Sequence, residues 1–345
     1  MIHRSHTNPV HPSFVPASVR RSPLINRGYY SRVAALDKLI IQFLNTAKAQ
    51  GHKAQIVSLG AGFDTTYWRL KAHQGIACHY YVEIDFSSSV SQKLQIIENA
   101  PVLTDILNAP NPNENFSDLM KNNPNEGHNI KDLSADELAN LPPHGLWQDF
   151  AIVGGDLRDI NSLEKNLRLL TKLDFDAPVL FLSECVLVYM PPHLSARVIE
   201  WAGASGSFTG PRVFATYEQI HPNDPFGRTM VANLAARGCP LLGLAEYPDL
   251  EAQRKRFLNL GFTVHGAWSM TDIYRHFLDK EETRKIEKIE LFDEFEEWHL
   301  IQGHYCISMA ATNGSCKIDE TKLKYTEIGF LEKKIPSIPT QYYID

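Results

Sequence analysis

The stretch QIVSLGAGFDTTYWRL, residues 55–70, joins an apolar run to a Gly-x-Gly turn and then to an amphipathic segment. Ile56, Val57 and Leu59 read as a buried parallel strand, and Gly60 and Gly62 supply backbone without Cβ, so that a ligand can approach the main chain closely. A helix from about Asp64 would direct unpaired N–H groups at an anionic group of that ligand. A second strand, HYYVEID (79–85), ends in Asp85, 25 positions after Gly60, a spacing at which a carboxylate can take two ribose hydroxyls. A nucleoside is implied. Thr65 stands where a dinucleotide fingerprint needs a third glycine, and no phosphate loop of the form G-x-x-x-x-G-K-[ST] occurs, so a pyrophosphate is disfavoured. S-adenosylmethionine requires the same strand, turn and terminal acid, with an amino-acid end in place of phosphate. A glycine turn serving only helix packing is the competing reading, and the acid at 85 weighs against it.

Seven ordered blocks extend the pattern: INRGYYSRV (25–33), VSLGAGFDTTYWRL (57–70), YVEIDF (81–86), GDLRD (155–159), LSECVLVYM (182–190), YEQIHPNDPFGRTMVANL (217–234) and GHYCISMAAT (303–312). Together they resemble the leucine carboxyl methyltransferases, over about residues 24–330. The resemblance implies a class I S-adenosylmethionine-dependent methyltransferase fold: an α/β domain with a seven-stranded sheet, six strands parallel and one reversed, helices on both faces and insertions as a lid. It implies S-adenosyl-L-methionine as cofactor and, as partner, the carboxy-terminal tail of the protein phosphatase 2A catalytic subunit, whose terminal leucine would be methylated. It also implies that Gly60 lies against the cofactor, that Asp85 takes the ribose hydroxyls, that Asp156 and Leu157 border the adenine, that Glu184 accepts from the cofactor's ammonium and that Arg32 pairs with its carboxylate. The family has a longer amino-terminal arm with a cofactor-touching lysine, for which no block matches here, and an incomplete lid is expected. A related branch in tRNA wybutosine synthesis carries a large extra carboxy-terminal domain, for which 345 residues leave no room.

Methyl transfer from a sulfonium is an in-line displacement, so donor and acceptor must be held collinear and in contact. A carboxylate acceptor, with a pKa near 3.5, is already ionised at neutral pH and needs no general base. None is evident. Arg158 and Tyr189 follow the carboxyl ends of two strands, the edge where open α/β sheets place ligands, and are the expected clamp for the acceptor. Tyr217 and Arg228 are second choices. The 14 histidines show neither H-E-x-x-H nor paired zinc spacing, so no metal is expected, and the five tryptophans read as core. A small-molecule O-methyltransferase and a catalytically silent module that binds the phosphatase tail are the alternatives.

The elements that must position these residues follow a βαβ rhythm. A helix is expected at 33–47, strands at 55–60 and 79–85, and a helix at 87–98 between the second strand and an insertion at 101–147. Eight asparagines and three prolines between 108 and 129 give that insertion a composition too polar to order easily, with one short capped helix from Ser134. Further strands are expected from Phe150, at 178–184, at 212–219, at 262–268 and at 304–311. Helices are expected at 162–173, from Pro191, at 226–237, at 249–260 and, as a single charged helix, at 281–299. Residues 1–24 would be an arm and 331–345 a tail, flanking one methyltransferase domain.

With 43 % apolar residues the chain can bury a large core, and a net charge of −6 without a basic run argues against nucleic acid as partner. Five cysteines without a C-x-x-C pair read as reduced thiols. No leader-like or membrane-spanning apolar run occurs, so a cytoplasmic monomer without membrane contact is expected.

Overall fold

The computed structural model describes residues 21–72, 78–108, 134, 138–315, 321, 322 and 324–330. Eight strands form one sheet: β1 Gln55–Leu59, β2 Tyr80–Asp85, β3 His144–Leu146, β4 Phe150–Gly154, β5 Val179–Glu184, β6 Arg212–Gln219, β7 Val264–Ser269 and β8 Tyr305–Thr312. Their order is β3-β4-β2-β1-β5-β6-β8-β7. The run from β4 to β6 is parallel, β8 is antiparallel to both β6 and β7, and β3 is antiparallel to β4. The expected seven strands with one reversed are all present, and β3 is an eighth, added at the edge.

Successive strand residues face opposite layers, which explains the unbroken apolar runs. Ile56, Tyr81, Leu180 and Val213 pack on one face with Leu39, Ile40 and Phe43 of helix α1, Pro23–Gln50. Val57, Val82, Phe181 and Phe214 pack on the other with Val198 and Trp201 of the helix Pro192–Gly203. Each layer buries aliphatic and aromatic side chains worth roughly 1.5–3 kcal/mol apiece.

Helix α1 begins ten residues before the apolar periodicity suggests. Pro23 starts it, as suits a residue without an N–H, and Gly51 ends it at φ +76°, donating to the carbonyls of Ala47 and Lys48. Its first turns, where Asn26, Arg27 and Gly28 interrupt the apolar stripe, are held by tertiary contacts that periodicity does not reveal. Ser31 Oγ donates to Gln302 Oε1 at 2.8 Å, and the Arg27 guanidinium lies 3.7 Å over the Phe292 ring. Arg32 is thereby carried on a rigid helix.

Helices α2, Thr66–Ala72, and α3, Ser87–Glu98, follow β1 and β2. The insertion is ordered at both ends. Residues 101–108 form helix α4, whose Leu103, Ile106 and Leu107 pack on the core, and β3 pairs with β4. The asparagine-rich centre lies outside the described residues, as does most of the expected Ser134 helix, though Leu138 N–H donates to the Ser134 carbonyl at 3.0 Å. The charged segment 281–299 is two helices, Lys280–Glu287 and Phe295–Gly303. Between them Phe292 turns inward beneath Arg27, which breaks the helical course. The expected helix 249–260 is regular only at Leu250–Lys255, where Asp249 caps it, and gives way to turns ending at Gly261, φ +85°. No helix among the described residues is long and apolar enough to cross a membrane.

Candidate active site

The sheet order changes direction between β1 and β5, and two cavities open there along the carboxyl edge. Gly60 lines both. Its φ of +66° belongs to the left-handed region, and a Cβ at this position would sit 2.6 Å from Val186 Cγ2, so no side chain can stand between the lobes. Asp85 sets the turn: its Oδ2 accepts from Gly62 N–H at 2.8 Å and its Oδ1 from Phe86 N–H at 2.7 Å. Each oxygen keeps a lone pair for a further donor.

The first lobe, about 370 Å³, is charged. Arg32, Asp64, Arg69 and Glu184 line it with Gly60, Ala61 and Phe63. Arg32 Nε lies 2.5 Å from Glu184 Oε1, a close charge contact that is not aligned as a hydrogen bond. Burial pushes the Glu184 carboxyl up, and Arg32 opposes that rise. Arg69 is held in a fork by Asp37 of α1, at 2.5 and 3.1 Å. A cation and a carboxylate side by side form a receptor for an amino-acid zwitterion, each partner exchanging the other for the ligand's opposite charge.

The second lobe, about 510 Å³, is largely apolar. Phe86, Leu157, Val186, Met190, Leu194 and Leu242 enclose it, with Asp85 at its entrance from β2. Such a cavity suits a flat, largely apolar ring. Asp156 and Arg158 stand at its rim as a pair, Arg158 Nε donating to both Asp156 oxygens at 2.9 and 3.0 Å. That contact holds the Asp156 carboxyl below its ordinary value. The pair is half-exposed and exchanges partners at little cost.

Tyr189 lines the same lobe, on the turn after β5. That turn leaves the sheet through Cys185, whose φ of +54° is a strained conformation for a residue with a side chain. Cys185 N–H bonds to the Tyr217 carbonyl, and Val188 N–H donates to Glu218 Oε1 at 2.7 Å. Burial pushes the Tyr189 phenol up to about 12 and the Cys185 thiol likewise to about 12, so both are neutral at physiological pH.

All eight residues expected from the sequence thus line the two lobes: Arg32, Gly60 and Glu184 the first, and Gly60, Asp85, Asp156, Leu157, Arg158 and Tyr189 the second. Of the second choices, Tyr217 is buried beneath Arg32, whose guanidinium lies 5.8 Å from its ring, and Arg228 is turned to the Asn223 carbonyl. Sequence reasoning missed Arg69 and Asp64, although both lie in the helix-opening block, and it missed the polar group Gln219–Tyr305 beside Tyr189. Antiparallel β8 brings Tyr305 opposite Gln219, a pairing that no local motif announces. Among the described residues no cluster of side chains could hold a metal ion.

A cofactor with an amino-acid end and an adenosyl end fits these residues: a glycine cradle between a charged lobe and an apolar one, with the Asp85 carboxylate on the apolar side. The chain is 41 % identical over 300 residues to the leucine carboxyl methyltransferase 1 homolog of Arabidopsis thaliana, covering 87 % of this chain and 81 % of that protein. It is 38 % identical over 302 residues to human tRNA wybutosine-synthesizing protein 4, covering 87 % of this chain and 40 % of that longer protein, so the resemblance alone does not separate the two branches. Among solved structures, a DUF574 family protein from Streptomyces avermitilis shares the fold, with a TM-score of 0.50 at 14 % identity over 83 % of this chain and 87 % of that one. The leucine carboxyl methyltransferase family profile matches residues 2–203, and this chain belongs to that family.

Proposed function

We propose that this protein transfers methyl from S-adenosylmethionine to the α-carboxylate of a carboxy-terminal leucine, that of the protein phosphatase 2A catalytic subunit. The observation that carries this reading is the two-lobed cavity around Gly60, charged on one side and apolar on the other. The sulfonium supplies an electrophilic methyl: as an acceptor oxygen bonds to carbon, the C–S pair returns to sulfur and leaves a neutral thioether.

The protein's part is to hold and to exclude. Arg32 and Glu184 take the carboxylate and ammonium of the methionyl end, Asp85 takes the ribose hydroxyls, and Leu157 with Asp156 borders the adenine. Gly60 allows the two halves to pass over the β1 turn without obstruction. Arg158 and the protonated Tyr189 flank the acceptor carboxylate, one as a cation and one as a neutral donor. No residue need remove a proton, because the acceptor arrives ionised. Positioning therefore supplies most of the rate.

Mass spectrometry of a leucine-terminated tail peptide incubated with enzyme and cofactor tests the reading. A methyl ester on the free peptide and none on its carboxy-terminal amide is the expected result. Methyl on the amide, or on a tRNA substrate in preference to the peptide, would replace it.

A further inference from the structure

At the end of β6, on the far side of Cys185 from Gly60, lies a polar group outside the cofactor lobes. Gln219 is 2 % exposed, and its Oε1 has no hydrogen-bond partner among the described residues. Its Nε2 faces the Tyr305 hydroxyl at 3.4 Å and Cys185 Sγ at 3.8 Å. Tyr305 stacks on Tyr217, ring centroids 5.1 Å apart and planes 18° apart, and Tyr217 in turn lies under the Arg32 guanidinium. Tyr189 joins the group from the turn after β5. Burial raises both the Tyr189 and Tyr305 phenols, and the hydrogen bond from Gln219 counters the rise in Tyr305.

A carboxamide nitrogen can only donate, so the Tyr305 oxygen it touches is used as an acceptor. The phenolic hydrogen must then point elsewhere. Since the phenol stays protonated at neutral pH, the Tyr305 hydroxyl is left as a donor for whatever enters between β5 and β8. An amide oxygen buried without a partner costs stability, and a position that retains one is a candidate for function.

We propose that Tyr305 is an acceptor-holding residue, and that Gln219 is a positioning residue that turns the Tyr305 hydroxyl outward, beside that of Tyr189, as a donor to the carboxylate being methylated. The assignment rests on the carboxyl-methylation reading above. It adds neutral donors on the β6–β8 side to the Arg158 cation, and it gives the unpartnered carboxamide a purpose: a residue that accepted from the phenols would aim them inward.

Steady-state methylation of the leucine-terminated peptide by the wild-type protein, Tyr305→Phe, Gln219→Leu and Gln219→Glu, with cofactor affinity measured in parallel by calorimetry, tests the inference. Tyr305→Phe should raise the peptide KM about tenfold or more, the effect of losing one hydrogen bond to a charged group, and leave cofactor affinity within about twofold. Gln219→Glu should raise the peptide KM further than Gln219→Leu, because a carboxylate draws the phenolic hydrogens toward itself whereas leucine leaves them free to rotate. In the Tyr305→Phe background, Gln219→Glu should cost less than it does alone. Equal effects of Glu and Leu at 219, or losses in cofactor affinity as large as those in peptide KM, would overturn the proposal. If a Gln219 variant does not fold, an unchanged peptide KM in Tyr305→Phe overturns it by itself. A wild-type protein inert toward every leucine-terminated peptide would refute the functional reading and this assignment together.

Discussion

Arg256→Met removes one half of the buried ion pair beneath the Tyr189 turn. Arg256 Nη1 lies 2.6 Å from Glu218 Oε2, and the two side chains are 0 % and 1 % exposed. The other Glu218 oxygen accepts from Val188 N–H, so the same carboxylate carries both the pair and the turn. Without Arg256 the Glu218 charge has no ion-pair partner among the described residues, and breaking a buried pair in this way costs about 3–5 kcal/mol. At about 2 °C per kcal/mol, the lower end for large domains, the melting temperature should fall by about 6–10 °C. The companion variant Glu218→Gln/Arg256→Met keeps an oxygen for Val188 N–H and removes the orphaned charge, so it should recover most of that loss. Thermal unfolding followed by circular dichroism at several scan rates would measure both. A shift below about 2 °C in the single variant, or a double variant no better than the single, would refute the view that an uncompensated charge governs this layer.

Gly60→Ala should raise the cofactor dissociation constant at least about tenfold, read by calorimetry, because its φ of +66° and the Val186 side chain leave no room for a methyl without displacing one wall of the cradle; unchanged affinity would remove Gly60 from the site. Asp85→Ala should weaken cofactor binding by roughly 3–6 kcal/mol, since two hydrogen bonds to a charged group are lost together with the acceptor that fixes Gly62, and retained binding would disprove the ribose assignment. Burial holds Glu83 up at about 8 despite Lys93 Nζ at 2.5 Å, so the folded state binds a proton that the unfolded state releases near 4.5. Stability should therefore decline as pH rises from about 4.5 to about 8, and Glu83→Gln should flatten that slope in denaturant titrations; an unaltered slope would place the linkage elsewhere.

The centre of the sheet was legible because its strands are apolar on both faces, and Gly60, Asp85 and Glu184 were legible because each closes or follows such a strand. What escaped was set by contacts between distant segments. The first turns of α1 interrupt the apolar stripe with Asn26, Arg27 and Gly28 and are held by Gln302 and Phe292, so beyond Pro23 their helical state has little local signature. The apolar residues of α4 adjoin an asparagine-rich stretch whose composition masked them, and three residues of β3 are too few to show alternation. Arg32 and Glu184 were each assigned a ligand group, yet their direct contact depends on α1 crossing the end of β5. Gln219 and Tyr305 meet only through the register of β6 with β8, which a sequence alone does not specify.

The central claim is tested most directly by transfer of radiolabelled methyl from S-adenosylmethionine to the purified phosphatase catalytic subunit, compared with the same subunit lacking its terminal leucine. The account predicts label on the intact subunit that is released by mild base, as an ester requires, and none on the truncated one. Base-stable label, or equal label on both subunits, would contradict methylation of the carboxy-terminal leucine carboxylate.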